Sequence, residues 1–121
     1  MHGKRNWFFP DAELPPMGED REIFGHESII VLNPNSEDAN VAIVLYWTDR
    51  EQSPPLRVIV KAGRVRCVRV TETDGILGMH ISVGEQYAIS LESDIPVVAQ
   101  YGRLDMRSGN MAFYTTPGYA E

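Results

Sequence analysis

The chain has 121 residues, 43% hydrophobic and 23% charged, values that belong to a folded globular domain and exclude wholesale disorder. Its 17 carboxylates against 11 lysines and arginines give a net charge of −6. That balance lacks the positive field that generic nucleic-acid or anionic-membrane binding requires. The single cysteine, Cys67, excludes an internal disulfide and fits a reducing compartment, and its place in a strand pattern predicts a small buried side chain.

No apolar run approaches the roughly 20 residues of a spanning helix. The start "MHGKRNWFF" is basic and then aromatic, but it meets Pro10 and Asp11 before a signal-peptide core can form. A cytoplasmic protein is expected.

In chain order, "NWFF" (6–9) predicts a short strand, and an acidic, proline-stiffened loop follows over 10–21. Strands rich in β-branched and aromatic residues are predicted over 24–33, 40–48, 56–61 and 65–71, separated by "NPNSEDA", "DREQSPP" and "AG". Residues 72–84 carry no regular pattern. Two further strands, 86–93 and 96–104, flank "SDIP", and "MAFYTT" (111–116) predicts a last one. No amphipathic helix of ten residues and no repeat interrupts the series. Short strands at this spacing predict one domain over residues 1–121, an all-β antiparallel β-sandwich of about seven to eight strands.

Short connections predict that neighbouring strands pair as hairpins. A turn at Ala62-Gly63 then sets Val60 opposite Val65 and Val58 opposite Cys67, with Leu56, Val58, Val60, Val65 and Cys67 on one apolar face. Arg57, Lys61, Arg64 and Arg66 fall on the other face, a basic row read as a solvated surface, and Arg69 lies at the end of the apolar set. A second hairpin through "NPNSEDA" sets His26 near Trp47, with Asp49 just beyond. His26, Trp47, Asp49 and Arg69 are thus expected at one end of the sheet. A strand-end tryptophan beside such groups offers a polyhydroxylated ligand a flat platform and hydrogen bonds. The alternative is a structural tryptophan among ordinary surface charges.

Catalytic motifs are absent. His26-Glu27 opens like a zinc-protease motif without the second histidine, and His2, His26 and His80 lie too far apart in sequence to form a metal set. Ser28 has no nucleophile elbow around it, and Gly75, Gly78 and Gly84 make no phosphate-cradling loop. No enzyme, metal or cofactor is expected. The stretch "SDIPVVAQYGRLD" (93–105) begins as a strand and ends with Gln100, Arg103 and Asp105, a polar finish that predicts an interface or a binding mouth.

The ordered series "NWFF", "LPP", "FGHESIIVLNPNSEDANVAIVLYWTDRE", "LRVIVKAGRVRCVRV" and "SDIPVVAQYGRLD" resembles the sensory rhodopsin transducer family over roughly residues 6–119. The resemblance implies a β-sandwich assembled as a cyclic homotetramer and a role in binding a small, sugar-related molecule. It further implies signalling alongside a membrane receptor or another signalling protein. Position by position it points to His26 and Glu27 in "GHES", Trp47 and Asp49 in "YWTDRE", and Gln100, Arg103 and Asp105 in "QYGRLD". Trp47 stands where the founder of the family has a tyrosine.

The expected ligand contacts are therefore His26, Glu27, Trp47, Asp49, Arg69, Gln100 and Arg103, with Arg103 and Asp105 as an interface pair. The expected function is a non-catalytic, cytoplasmic small-molecule-binding or signal-transducer domain. Its alternatives are an oligomeric interaction scaffold or a transcription-related DNA-binding regulator, and the acidic balance weighs against the last.

Overall fold

The computed structural model describes residues 1–20 and 22–121. Among these residues eight strands follow one another: β1 (Lys4–Glu13), β2 (His26–Asn33), β3 (Ala39–Trp47), β4 (Leu56–Val60), β5 (Arg64–Val70), β6 (Gln86–Asp105), β7 (Ala112–Thr116) and β8 (Tyr119–Ala120). Every pairing is antiparallel, and there is no helix among the described residues. The all-β expectation holds.

The two layers share a strand. From Gln86 to Ser93, β6 pairs with β1 and β3; from Val98 to Asp105 it pairs with β2 and β7. The first sheet runs β4-β3-β6-β1-β8 and the second β5-β2-β6-β7. Pro96 sits at the changeover, where a missing N–H costs no ladder bond. The two strands read separately from the sequence, 86–93 and 96–104, are one strand of 20 residues.

Alternation sends Phe9, Ile43, Leu45, Tyr87, Ile89 and Leu91 inward from the first sheet and Ile29, Val31, Val68, Val70 and Tyr101 from the second; all are buried. In β1, Phe9 pairs with Ile89 and Ala12 with Tyr87, so Pro10 and Asp11 together oppose Ala88. This bulge admits a proline and lets Phe9 and Ala12 both face the core. The expected loop over 10–21 therefore starts late, after Glu13.

Of the neighbouring strands, β3–β4 and β6–β7 pair as expected, but the hairpins predicted through "NPNSEDA" and "AG" are not formed. β2 pairs with β5 and β6, and β3 with β4 and β6, so "NPNSEDA" and "AG" carry the chain between layers. His26 lies opposite Leu104 rather than Trp47. β5 turns Val68 and Val70 inward, leaving Val65 63% exposed and Cys67 exposed, the reverse of the expected face. β3 is flanked on both sides, by β4 and β6.

Two buried asparagines lock the crossing at the end opposite His26. Asn33 Nδ2 donates to Val60 O (3.0 Å) and Glu37 O (2.7 Å), and its Oδ1 accepts from Asn35 N (3.1 Å). Asn35 Nδ2 donates to Pro96 O (2.7 Å), which ties the crossing to the bend of β6. Residues 72–84 form bridged turns, Thr71 with Gly75 and Ile76 with Met79, that bury Ile76 and Ile81.

Candidate ligand-binding site

At one end of the sandwich, Glu27 of β2 points into the core and is fully buried. Tyr87 Oη, from the first sheet, donates to its Oε1 at 2.6 Å; Tyr101 Oη and the Glu13 N–H (3.2 Å) donate to Oε2. Arg103 lies directly across β2–β6 from Glu27 and adds a favourable charge. Burial nonetheless dominates and pushes the Glu27 carboxyl above its ordinary value, because these donors replace only part of the lost hydration. Both phenols are pushed strongly upward, first by burial and then by the Glu27 charge, so they remain donors. The acid staples the two sheets together.

Around it, the expected ligand contacts divide between faces. Trp47 lies opposite Tyr87 at the end of β3, and the Arg50 guanidinium covers its ring at 4.4 Å. Arg50 is held by Glu85 (2.6 Å) and Asp49 (2.8 Å), so Asp49 is taken up in a surface ion pair. His26 has its Nδ1 2.8 Å from Phe24 O. Arg69, opposite Ser28, and Gln100, opposite Ile30, lie on the outer face of the second sheet. Glu27, Arg103 and Trp47 share one end of the molecule, while His26, Arg69 and Gln100 do not face them.

Arg103 stacks over Tyr114 at 4.8 Å and donates to Glu13 O at 3.3 Å. The expected Arg103–Asp105 pair is not made within the chain. Asp105 binds Arg107 at 2.5 Å, which holds its carboxyl below the usual range, and Arg107 also reaches Glu13 at 2.7 Å. A small cleft of about 180 Å³ remains between Arg103, Asp105, Ala112, Phe113 and Tyr114. Gly102, between Gln100 and Arg103, is covered by β7.

Of the two larger concavities, one lies on the outer face of the first sheet and the other at its β4 edge. A cleft of about 470 Å³ has Ala42 and Val44 on its floor and Asn40, Tyr46, Gln52, Arg57, Ser90, Glu92 and Asp94 around it. The edge cleft, of about 580 Å³, shares Asn40 and Arg57 and adds Val41, Val58 and Ile59, with Arg66 reaching it from β5 of the second sheet. Asn40 donates through its backbone N and its Nδ2 to the Asp94 carboxylate, both at 2.8 Å, which holds Asp94 below its ordinary value. Tyr46 Oη and Ser90 Oγ are 2.9 Å apart. None of the ligand contacts expected from the sequence lines either cleft. The signal for this site was the outward set of β3, where small Ala42 and Val44 separate polar Asn40 and Tyr46.

These features define an all-β sandwich whose two sheets share one strand and whose outer face is hollowed and polar. The chain belongs to the Anabaena sensory rhodopsin transducer family, whose sequence model matches residues 2–120. A Thermotoga maritima protein designated 1070 superposes with a TM-score of 0.87 at 32% identity, covering 100% of this chain and 97% of that one. The Anabaena sensory rhodopsin transducer itself superposes with a TM-score of 0.72 at 31% identity, covering 89% of this chain and 94% of that one. No protein of curated function matches the sequence.

Proposed function

We propose that this protein is a non-catalytic transducer domain of the cytoplasm that binds a small polyhydroxylated, sugar-related molecule in the outer-face cleft. The observation that carries this reading is the lining of the 470 Å³ cleft, where hydrogen-bonding side chains surround a floor of Ala42 and Val44. Such a surface suits hydroxyl groups, each of which donates and accepts. Asp94, held as a carboxylate by Asn40, serves as a fixed acceptor rather than a proton donor. With one face of Trp47 already covered by Arg50, the reading moves the ligand away from the strand-end cluster.

The relative named for sensory rhodopsin supplies the partner class: a membrane receptor or another signalling protein that senses occupancy of the cleft. Calorimetric titration with a sugar panel tests the reading. Binding that is lost in Tyr46→Ala supports it, whereas a flat titration across the panel, or binding indifferent to Tyr46→Ala, overturns it.

A second reading, assembly, rests on a different surface. On the outer face of the second sheet, Val65, Leu32 and Val98 lie side by side across three strands and are 63%, 42% and 40% exposed. Ile30 and Cys67 continue the row. An apolar stripe of this kind is a surface to be covered, and we assign it to subunit contact in a cyclic homotetramer.

A further inference from the structure

We infer that the ligand of the outer-face cleft is an anionic sugar, a sugar phosphate or a sugar acid, whose charged group lies between Arg57 and Arg66. This rests on the reading that the cleft binds a polyhydroxylated molecule, and it adds the charge and the orientation of that molecule.

The chain carries six more carboxylates than lysines and arginines, so two arginines lining one cleft with no carboxylate partner among the described residues make a local positive spot on an acidic molecule. Among the described residues Arg50, Lys61 and Arg107 form ion pairs; Arg57 and Arg66 are two of seven that form none, and they are the two that line the 580 Å³ cleft, which meets the 470 Å³ cleft at Asn40 and Arg57. Arg66 is not a loose surface group. Its Nη1 donates to Ile59 O at 3.1 Å, which anchors the guanidinium against β4 and leaves its other N–H groups available. Arg57 and Ile59 alternate along β4, opposite Ala42 and Asn40, so Ile59 places an apolar side chain beside Arg57.

The two adjoining clefts, taken together, are polarised across β4, β3 and β6. Arg57, Ala42 and Glu92 form one cross-strand row, with Arg57 on β4, Ala42 on β3 and Glu92 on β6. The two outer members are two strand spacings apart, about 10 Å. A carboxylate side made by Glu92 and Asp94 accepts hydroxyl protons and repels anions, whereas a guanidinium pair fits a phosphate or carboxylate through parallel N–H donors. Only one orientation satisfies both sides. The acidic group turns to β4, and the hydroxyls cross Ala42 towards β6.

The test is calorimetric titration of the full chain with glucose, galactose and ribose, each beside its phosphate and its uronic acid or aldonic acid, and with inorganic phosphate alone. At least one anionic form is expected to bind about tenfold more tightly than its neutral parent, a gain that weakens with added salt. Arg57→Gln and Arg66→Gln are each expected to erase that gain, so that each variant binds the anionic and neutral forms within about twofold of one another. Arg57 is exposed and its side chain makes no hydrogen bond among the described residues, so its variant keeps the fold even where Arg66→Gln loosens β4. A preference for phosphate or for carboxylate distinguishes the two sources, and either supports the inference. Equal affinity for neutral and anionic forms overturns it while the polyhydroxyl reading stands; no binding by any member overturns both. Inorganic phosphate binding as tightly as the sugar phosphates also overturns it, because the hydroxyl side would then contribute nothing.

Discussion

Tyr87 and Glu27 meet across the sandwich, the phenol of one sheet donating to the carboxylate of the other at 2.6 Å in a fully buried setting. Glu27→Ala would leave the hydroxyls of Tyr87 and Tyr101 in the core without an acceptor. Each unsatisfied group costs about 1–3 kcal/mol, so the variant is expected to lose roughly 3 kcal/mol or more in urea denaturation. Tyr87→Phe removes one donor and keeps the ring, and is expected to cost about 1 kcal/mol. Equal, small losses in both variants would show that the staple is not a stabilising element.

Acidity should reveal the same residue. Glu27 is raised above its ordinary value of 4.5, mainly by burial. In the interval above that value the folded state holds a proton that the unfolded state has released. Stability from this group is therefore present at low pH and is lost as pH rises through the folded value. Asp94 and Asp105 are lowered by their partners Asn40 and Arg107 and act oppositely, contributing stability above their ordinary 3.8 that is lost as pH falls. Glu27→Gln cannot titrate. The stability gap between wild type and this variant should narrow as pH rises from about 4 to about 8, measured as denaturation midpoints. A gap that widens would reverse the sign of the Glu27 shift.

Much of this was legible in the sequence, and the misreadings have physical causes. The β-branched runs gave the strands because alternation is a local property. Partners were misassigned because "NPNSEDA" and "AG" are turn-like in composition yet cross between layers, and composition does not say whether a turn returns to the same sheet. Arg69 held the clue. A face of Val65 and Cys67 that ends in an arginine is a poor core face, and Val68 with Val70 was the apolar alternative. "SDIP" looked like a break because Pro96 cannot donate, but β6 changes sheets there and needs no donor. Glu27 came from family resemblance alone, since a carboxylate in a strand carries no sign of the two tyrosines that will reach it.

One turn stores strain that can be removed. Leu77 has a φ of 49° and Gly78 one of 83°, in a two-residue turn closed by Ile76 N to Met79 O (2.9 Å) and its reciprocal bond (2.8 Å). A branched side chain in the left-handed region costs about 1–2 kcal/mol, whereas asparagine tolerates it. Leu77 is 43% exposed, so little burial is forfeited. Leu77→Asn is expected to raise stability by about 1 kcal/mol, seen as a higher urea midpoint with unchanged slope. A lower midpoint would mean that Leu77 packing outweighs the strain.

The exposed row on the second sheet gives the assembly reading its test. Wild-type protein is expected to scatter light as a particle of about four times 13.6 kDa, and Val65→Lys to shift it towards the monomer. Val65 is 63% exposed within one chain, so the monomer fold should tolerate the lysine. A wild-type monomer at micromolar concentration, or an assembly indifferent to the substitution, would remove this surface from consideration.

The shared strand also dictates an order in time. Until Gln86 and the residues after it have left the ribosome, the preceding chain can form only the β3–β4 and β2–β5 pairs, and β1 has no partner at all. Both halves of the apolar interior therefore wait for the same late segment, and the contacts that close them span long sequence separations, the kind that slow folding. During synthesis β1, which emerges first and has no partner before β6, is exposed to neighbouring chains for longest. The emergence of one strand, rather than the growth of either sheet, sets when this protein can close.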